Sequence, residues 1–144
     1  MPEVLKILIA VICIAALIYL AVSLYGLTTK KTKIEQARAT LDEMKSKINS
    51  LAEGKFISML ITSPNDWFIV SFADSAVSRP KLCFGNCVCI CEDYDVDGCN
   101  SGGLCQSNVD KPINFGDEKY IEIDKVFDLQ MNKSSTGILL KRAA

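Results

Sequence analysis

The sequence predicts an N-terminal transmembrane helix continuing into an amphipathic helix, followed by a small all-β, disulfide-rich antiparallel sandwich. Three observations carry that fold class: an uncharged run of 21 residues from Ile7 to Leu27, an apolar series at heptad spacing from Ile34 to Leu51, and six cysteines within 23 residues among short β-rich runs. At a rise of about 1.5 Å per residue, the first run makes roughly 31 Å of helix, enough to cross a hydrocarbon core of about 30 Å. Tyr25 stands where an aromatic interface anchor belongs, Lys6 lies within snorkelling reach of the other end, and Gly26 marks the exit from lipid. Residues 1–6 read as a tail and 7–27 as the transmembrane helix.

A cleaved secretory signal is the competing reading, with Lys6 as its charged region and Ala21-Val22-Ser23 as a small-x-small cut site. Three features weigh for a permanent anchor. Glu3 offsets the single lysine, the apolar run continues past the cut, and a helical pattern begins soon after. Cys13 follows Ile12, where a lipoprotein signal has a small residue, so it reads as a small apolar side chain in lipid.

Residues 28–54 follow as an amphipathic stalk. Ile34, Ala37, Leu41, Met44, Ile48 and Leu51 step by three and four, which lines them on one helical face, and Glu43 and Lys47 form a favourable i, i+4 pair. Gly54 supplies the C-terminal cap. The stripe has two uses: packing against the domain that follows, or self-association of two stalks into a homo-oligomer. Fewer than three heptads is short for an independent coiled coil, which favours packing on the domain.

About 90 residues remain for one domain, 55–144, with no room for a second. Residues 1–54 carry 7 Lys or Arg against 5 Asp or Glu, and residues 55–144 carry 9 against 12, so the domain is mildly acidic and no nucleic-acid partner is expected. The chain has no histidine, which removes the commonest general base and the commonest metal ligand together. No nucleophile elbow, phosphate loop or paired-carboxylate motif can be assembled, and the expectation is a protein that is not an enzyme.

Strands are expected at Phe56 to Thr62, Trp67 to Ala73, Val88 to Cys91, Tyr120 to Phe127 and Gly137 to Lys141. Turn formers separate them, at Ser63-Pro64-Asn65-Asp66, Arg79-Pro80, Gly102-Gly103, Lys111-Pro112 and Lys133 to Gly137. WFIVSF, Trp67 to Phe72, is apolar on both faces apart from Ser71, so it reads as the central strand with Trp67 and Phe72 in the core. Around it, Ile121 and Ile123 alternate with Tyr120, Glu122 and Asp124, as in a strand with one wet face.

Cys83, Cys87, Cys89, Cys91, Cys99 and Cys105 form an even set behind a membrane segment, which reads as three disulfides outside the cytosol. On a strand Cys87, Cys89 and Cys91 share a face at about 6.6 Å intervals, so each needs a partner other than its neighbour, with Cys83, Cys99 and Cys105 available. Spacing leaves 15 pairings open. A thiolate metal site facing the cytosol is the alternative, and the lack of a C-x2-C knuckle weighs against it. Between the cysteines, Asp93, Asp95 and Asp97 with Gly98 fit D-x-D-x-D-G, the first half of a calcium loop. Leu104 stands where that loop requires a bidentate Glu, so an acidic hairpin turn with Asp97-Gly98 at its tip is preferred over a weak calcium site, and no other cofactor is expected. Asn132-Lys133-Ser134 is a glycosylation sequon that fits an exported domain.

Two stretches, Trp67-Phe68-Ile69-Val70-Ser71-Phe72 and Asn86-Cys87-Val88-Cys89-Ile90-Cys91, preceded by an anchor and a charged helix, resemble a set of small uncharacterised membrane-anchored proteins of small-genome archaea. That resemblance implies an anchor and a β domain, and brings no assigned activity. In layout alone, a half-apolar, half-amphipathic N-terminal helix before a β domain is similar to a type IV pilin, a subunit of a surface filament. The chain departs from that pattern at its start: no basic leader with Gly or Ala precedes a cleavage point, and Glu3 is not placed as the pilin glutamate is.

Two rules oppose each other on orientation. Lys30, Lys31, Lys33 and Arg38 follow the span while Lys6 and the terminal amine precede it, so the positive-inside rule puts the domain in the cytosol. Whole domains translocate largely regardless of charge, and three disulfides would each contribute about 2 to 4 kcal/mol to a small core. The expectation is therefore a cell-membrane protein with its domain outside the cytosol, serving binding or surface structure toward a partner the sequence does not name.

Overall fold

The computed structural model describes residues 2–62 and 64–143. Ser63, in one of the expected turns, lies outside the described residues. The chain divides into two compact units, 1–33 and 34–144.

Helix α1 runs Glu3–Ser50. It begins inside the stretch read as a tail, and it passes through Gly26 without a break. In the first unit every apolar side chain of the uncharged run is solvent-exposed, Leu17 at 66% and Tyr25 at 76% among them, and α1 is long and apolar enough to cross a membrane. Thr28, Thr29 and Thr32 follow the apolar run. Their hydroxyls donate to the carbonyls of Leu24, Tyr25 and Thr28, so these polar side chains are satisfied within the helix itself.

The second unit starts at Ile34, within the stretch read as stalk, because the apolar stripe there belongs to the domain's core. Ala37, Leu41, Met44 and Ile48 are at most 1% exposed, and Ile34 and Leu51 pack against them. Full burial of a Leu, Met or Ile side chain stabilises by about 1.5–3 kcal/mol, enough for this segment to hold as part of the domain rather than as a free helix. Glu43 and Lys47 pair at 3.9 Å on the exposed side. The helix stops at Ser50, three residues before the expected end, and Gly54, at φ +77°, takes the left-handed conformation of the turn that follows. Its N–H donates to the Lys133 carbonyl.

Among the described residues eight strands follow. β1 (Phe56–Ile61), β7 (Phe127–Lys133), β8 (Ile138–Arg142) and β5 (Ile113–Asn114) form one sheet in the order β1-β7-β8-β5. β4 (Gly103–Val109), β3 (Asn86–Cys91), β2 (Trp67–Phe72) and β6 (Ile121–Ile123) form the other, in the order β4-β3-β2-β6. The expected antiparallel sandwich holds apart from β5, which pairs parallel to β8. Both sheets and the C-terminal part of α1 bury their side chains in one core.

Two expected elements change. The run from Tyr120 to Phe127 is two strands, β6 and the start of β7, because Asp124-Lys125-Val126 turns the chain between them. WFIVSF is an inner strand as expected, but Trp67 and Phe72 lie five residues apart and therefore on opposite faces. Trp67 joins the main core, while Phe72 packs in a second cluster on the far side of the sheet.

One buried charge ties the helix to the sheets. Lys133, 5% exposed, has its Nζ 2.6 Å from an Asp110 carboxylate oxygen, and it donates to the Ile48 carbonyl at 3.1 Å. A cation thus satisfies a last-turn carbonyl of α1, where the helix dipole favours positive charge.

Candidate binding face

Strand β3, NCVCIC, is apolar on both sides. Val88 and Ile90 point into the main core, and the alternation turns Cys87, Cys89 and Cys91 to the other side. Among the described residues no third sheet covers that side. Three disulfides and the segments they hold do it instead.

Cys83 bonds Cys87, Cys89 bonds Cys105 across the β3/β4 ladder, and Cys91 bonds Cys99, with Cα separations of 5.8, 4.1 and 4.8 Å. Each cysteine on the strand takes a different partner from outside it, and all six candidate residues are used. Cys13 remains free and exposed on α1. Val70, Phe68, Phe72 and Tyr120 complete the layer around the sulfurs.

The acidic stretch is not a hairpin turn. Val96–Ser101 form a short helix, α2, and Asp95 is its N-cap, its carboxylate accepting from the Gly98 N–H. Asp97 lies in the first turn, where negative charge is favoured. Asp93 accepts from the Tyr94 N–H at 2.8 Å. A side chain at Gly98 would meet the Asp93 Cβ at 2.4 Å, and one at Gly103 would meet the Cys91 Sγ at 2.7 Å. Both glycines are explained by close approach, and much of the D-x-D-x-D-G pattern by the capping of a helix stapled through Cys99.

Among the described residues, one group of three potential metal-ligand atoms is drawn together: the sulfurs of Cys89, Cys91 and Cys99, all within 4.8 Å of one another. Cys91 and Cys99 are bonded to each other and Cys89 to Cys105, so in this oxidised form none of the three is a thiolate. Asp93, Asp95 and Asp97 do not form such a group.

Beside the disulfide layer stands an aromatic ledge that the sequence does not reveal, because its members are 26 residues apart at each step. Tyr94 and Tyr120 stack with centroids 4.6 Å apart and planes at 12°, and Phe68 meets both edge-on at 5.7 and 5.3 Å. Tyr94 is 53% exposed. Tyr120 also lines a cleft of about 440 Å³ with Glu118, Glu122, Asp124, Lys119 and Arg142. Arg142 holds the Asp124 carboxylate at 2.8 Å and lies 4.2 Å above the Phe127 ring. Its hydrogen bond is the main cause that keeps the Asp124 carboxyl below its ordinary 3.8. A partly exposed tyrosine beside polar and charged groups of both signs is a surface for contact, by apolar packing and hydrogen bonding.

No protein-family model, curated protein or solved structure matches this chain.

Proposed function

We propose that this chain is a single-pass membrane protein, anchored by α1, that presents a disulfide-stapled β domain outside the cytosol for binding or surface structure rather than for catalysis. The carrying observation is the closure of all six domain cysteines into three bridges that roof one face of a sheet, while Cys13 in the apolar run has no partner. A reducing compartment would open that roof and leave six thiols, five of them buried, without a core to replace them. The ledge of Phe68, Tyr94 and Tyr120, held by the same roof, is the contact surface in this reading.

The test is to extract the chain from membranes without reductant, denature and alkylate it, weigh it intact, and repeat after reduction. One modified thiol before reduction and seven after supports the reading. Ready labelling of six or seven thiols without reductant reverses the orientation and favours a cytosol-facing thiolate metal protein. Protease digestion of intact cells, which should remove the domain with its part of α1 and spare the apolar run of residues 7–27, checks the side of the membrane independently.

A further inference from the structure

Three of the four sheet edges are blunted. β4 is covered by hydrogen bonds from Phe84 and Lys45 to Ser107 and from Gln106 to Asp42, and the Phe84 carbonyl accepts from the Asn108 N–H. β6 is three residues long, with Arg142 donating to the Glu122 carbonyl. β5 is two residues long, and Ser71 donates to its Ile113 carbonyl. Short strands and capping side chains are the usual protections of an edge.

β1 has none of them. It is six residues, FISMLI, with no charge, proline or bulge. The Lys133 N–H donates to the Lys55 carbonyl, so the ladder's alternation turns the backbone groups of residues 55, 57, 59 and 61 toward β7. The N–H and C=O groups of Phe56, Ser58 and Leu60 face away from the sheet. Among the described residues no partner for them is seen, and the side chains of Phe56 and Leu60 are 74% and 56% exposed.

We propose that β1 pairs with β1 of a second copy of this chain, antiparallel, about a two-fold axis through Ser58. That register sets Ser58 opposite Ser58 and Phe56 opposite Leu60 twice, so the outward groups exchange hydrogen bonds and each exposed apolar side chain gains an apolar partner. The uncharged strand puts no like charges across the axis, and a closed two-fold contact uses up the open edge. The stripe a stalk-to-stalk dimer would need, Ala37, Leu41, Met44 and Ile48, is already in the core, whereas β1 is available. A seam of six residues buries less than the roughly 1,200 Å² of stable complexes. Confinement of two anchored copies in one bilayer raises their effective concentration and offsets that shortfall; in this the pairing rests on the membrane reading above.

The experiment uses the full chain in lipid vesicles, in a Cys13→Ala background. Ser58→Cys should cross-link to a dimer on mild oxidation or with a short bis-maleimide, since paired residues in this register have Cα atoms about 5.5 Å apart. Gln130→Cys, opposite Ser58 but one strand further in, should not. Ser58→Pro, which removes an N–H that β7 does not use, should lose the dimer in single-molecule photobleaching and keep the melting temperature. Equal cross-linking of Ser58→Cys and Gln130→Cys, or a dimer that survives Ser58→Pro, overturns the proposal. So does Phe56→Cys cross-linking to itself as well as Ser58→Cys does, since it shows a parallel or slipped seam. A chain that does not enter the vesicles overturns the anchor instead, and the same cross-links at high concentration in detergent then decide the pairing alone.

Discussion

Strand β3 has two buried faces built from different materials. Toward the main core it presents Val88 and Ile90, covered by the opposite sheet and by α1; on the other side it presents Cys87, Cys89 and Cys91, covered by bonds to Cys83, Cys105 and Cys99. The first face is held by area removed from water, which requires large elements to be brought over it. The second is held by covalent links that need only short segments. A domain of this size has enough chain for one packed interface between layers, and the second buried face is closed with sulfur.

The largest effect that distinguishes the faces is expected in the helix stripe. Leu41→Asp or Ile48→Asp puts a charge into the main core and should cost more than about 4 kcal/mol. Denaturant melts of the full chain in detergent should show the domain unfolding, with the three disulfides still closed by mass. If melting is unchanged while an oligomer dissociates, the stripe serves self-association and does not hold the main core.

Next, replacing Cys89 and Cys105 together by Ala should cost about 3 kcal/mol, because their bridge closes the longest loop, 16 residues. Removing the Cys83 and Cys87 pair, only four residues apart, should cost less. The same melts rank them, and a reversed order would mean that packing of the sulfurs, not restriction of the unfolded chain, governs this face. Smaller still, Asp95→Ala removes the N-cap of α2 and should lower stability by about 1 kcal/mol. Faster hydrogen exchange at Gly98 and Cys99, with Val88 and Ile90 unaffected, would localise the loss to the disulfide side.

The smallest effect is a pH dependence at the cleft. Arg142 holds the folded Asp124 carboxyl below its ordinary value, so the pair's contribution is complete above the unfolded pKa and is lost as pH falls through the folded one. The difference in melting temperature between the wild type and Asp124→Asn should therefore be present at neutral pH and shrink toward zero in acid below about pH 4. A difference that stays constant across that range would show that the ionised carboxylate of Asp124 is not what the pair contributes.

The residues explain how far the sequence could be read. The stripe from Ile34 to Leu51 was visible because helical spacing repeats, and its use was settled by burial of Leu41 and Ile48. The parity of Cys87, Cys89 and Cys91 was visible for the same reason, while their partners were not, since pairing depends on where the chain returns. β7 carries a full alternation, Phe127, Leu129 and Met131 inward against Asp128, Gln130 and Asn132, but the expected strand from Tyr120 stops at its first residue, Phe127. β4, GLCQSNV, has no such period and is a strand because β3 lies beside it. The aromatic ledge joins residues far apart in sequence, and only the fold brings Phe68, Tyr94 and Tyr120 together.

The strand order also sets a sequence of events in time. All four strands of the disulfide-bearing sheet lie between Trp67 and Ile123, so they can pair and oxidise as soon as that stretch is available. The other sheet joins β1, which precedes the stretch, to β7 and β8, which follow it. Closing that long loop is slow and waits on residues made after the first sheet's strands. During synthesis β1 therefore waits with both of its edges open, beside a neighbour already locked by sulfur, and the interval before β7 arrives is when the chain is most exposed to mispairing.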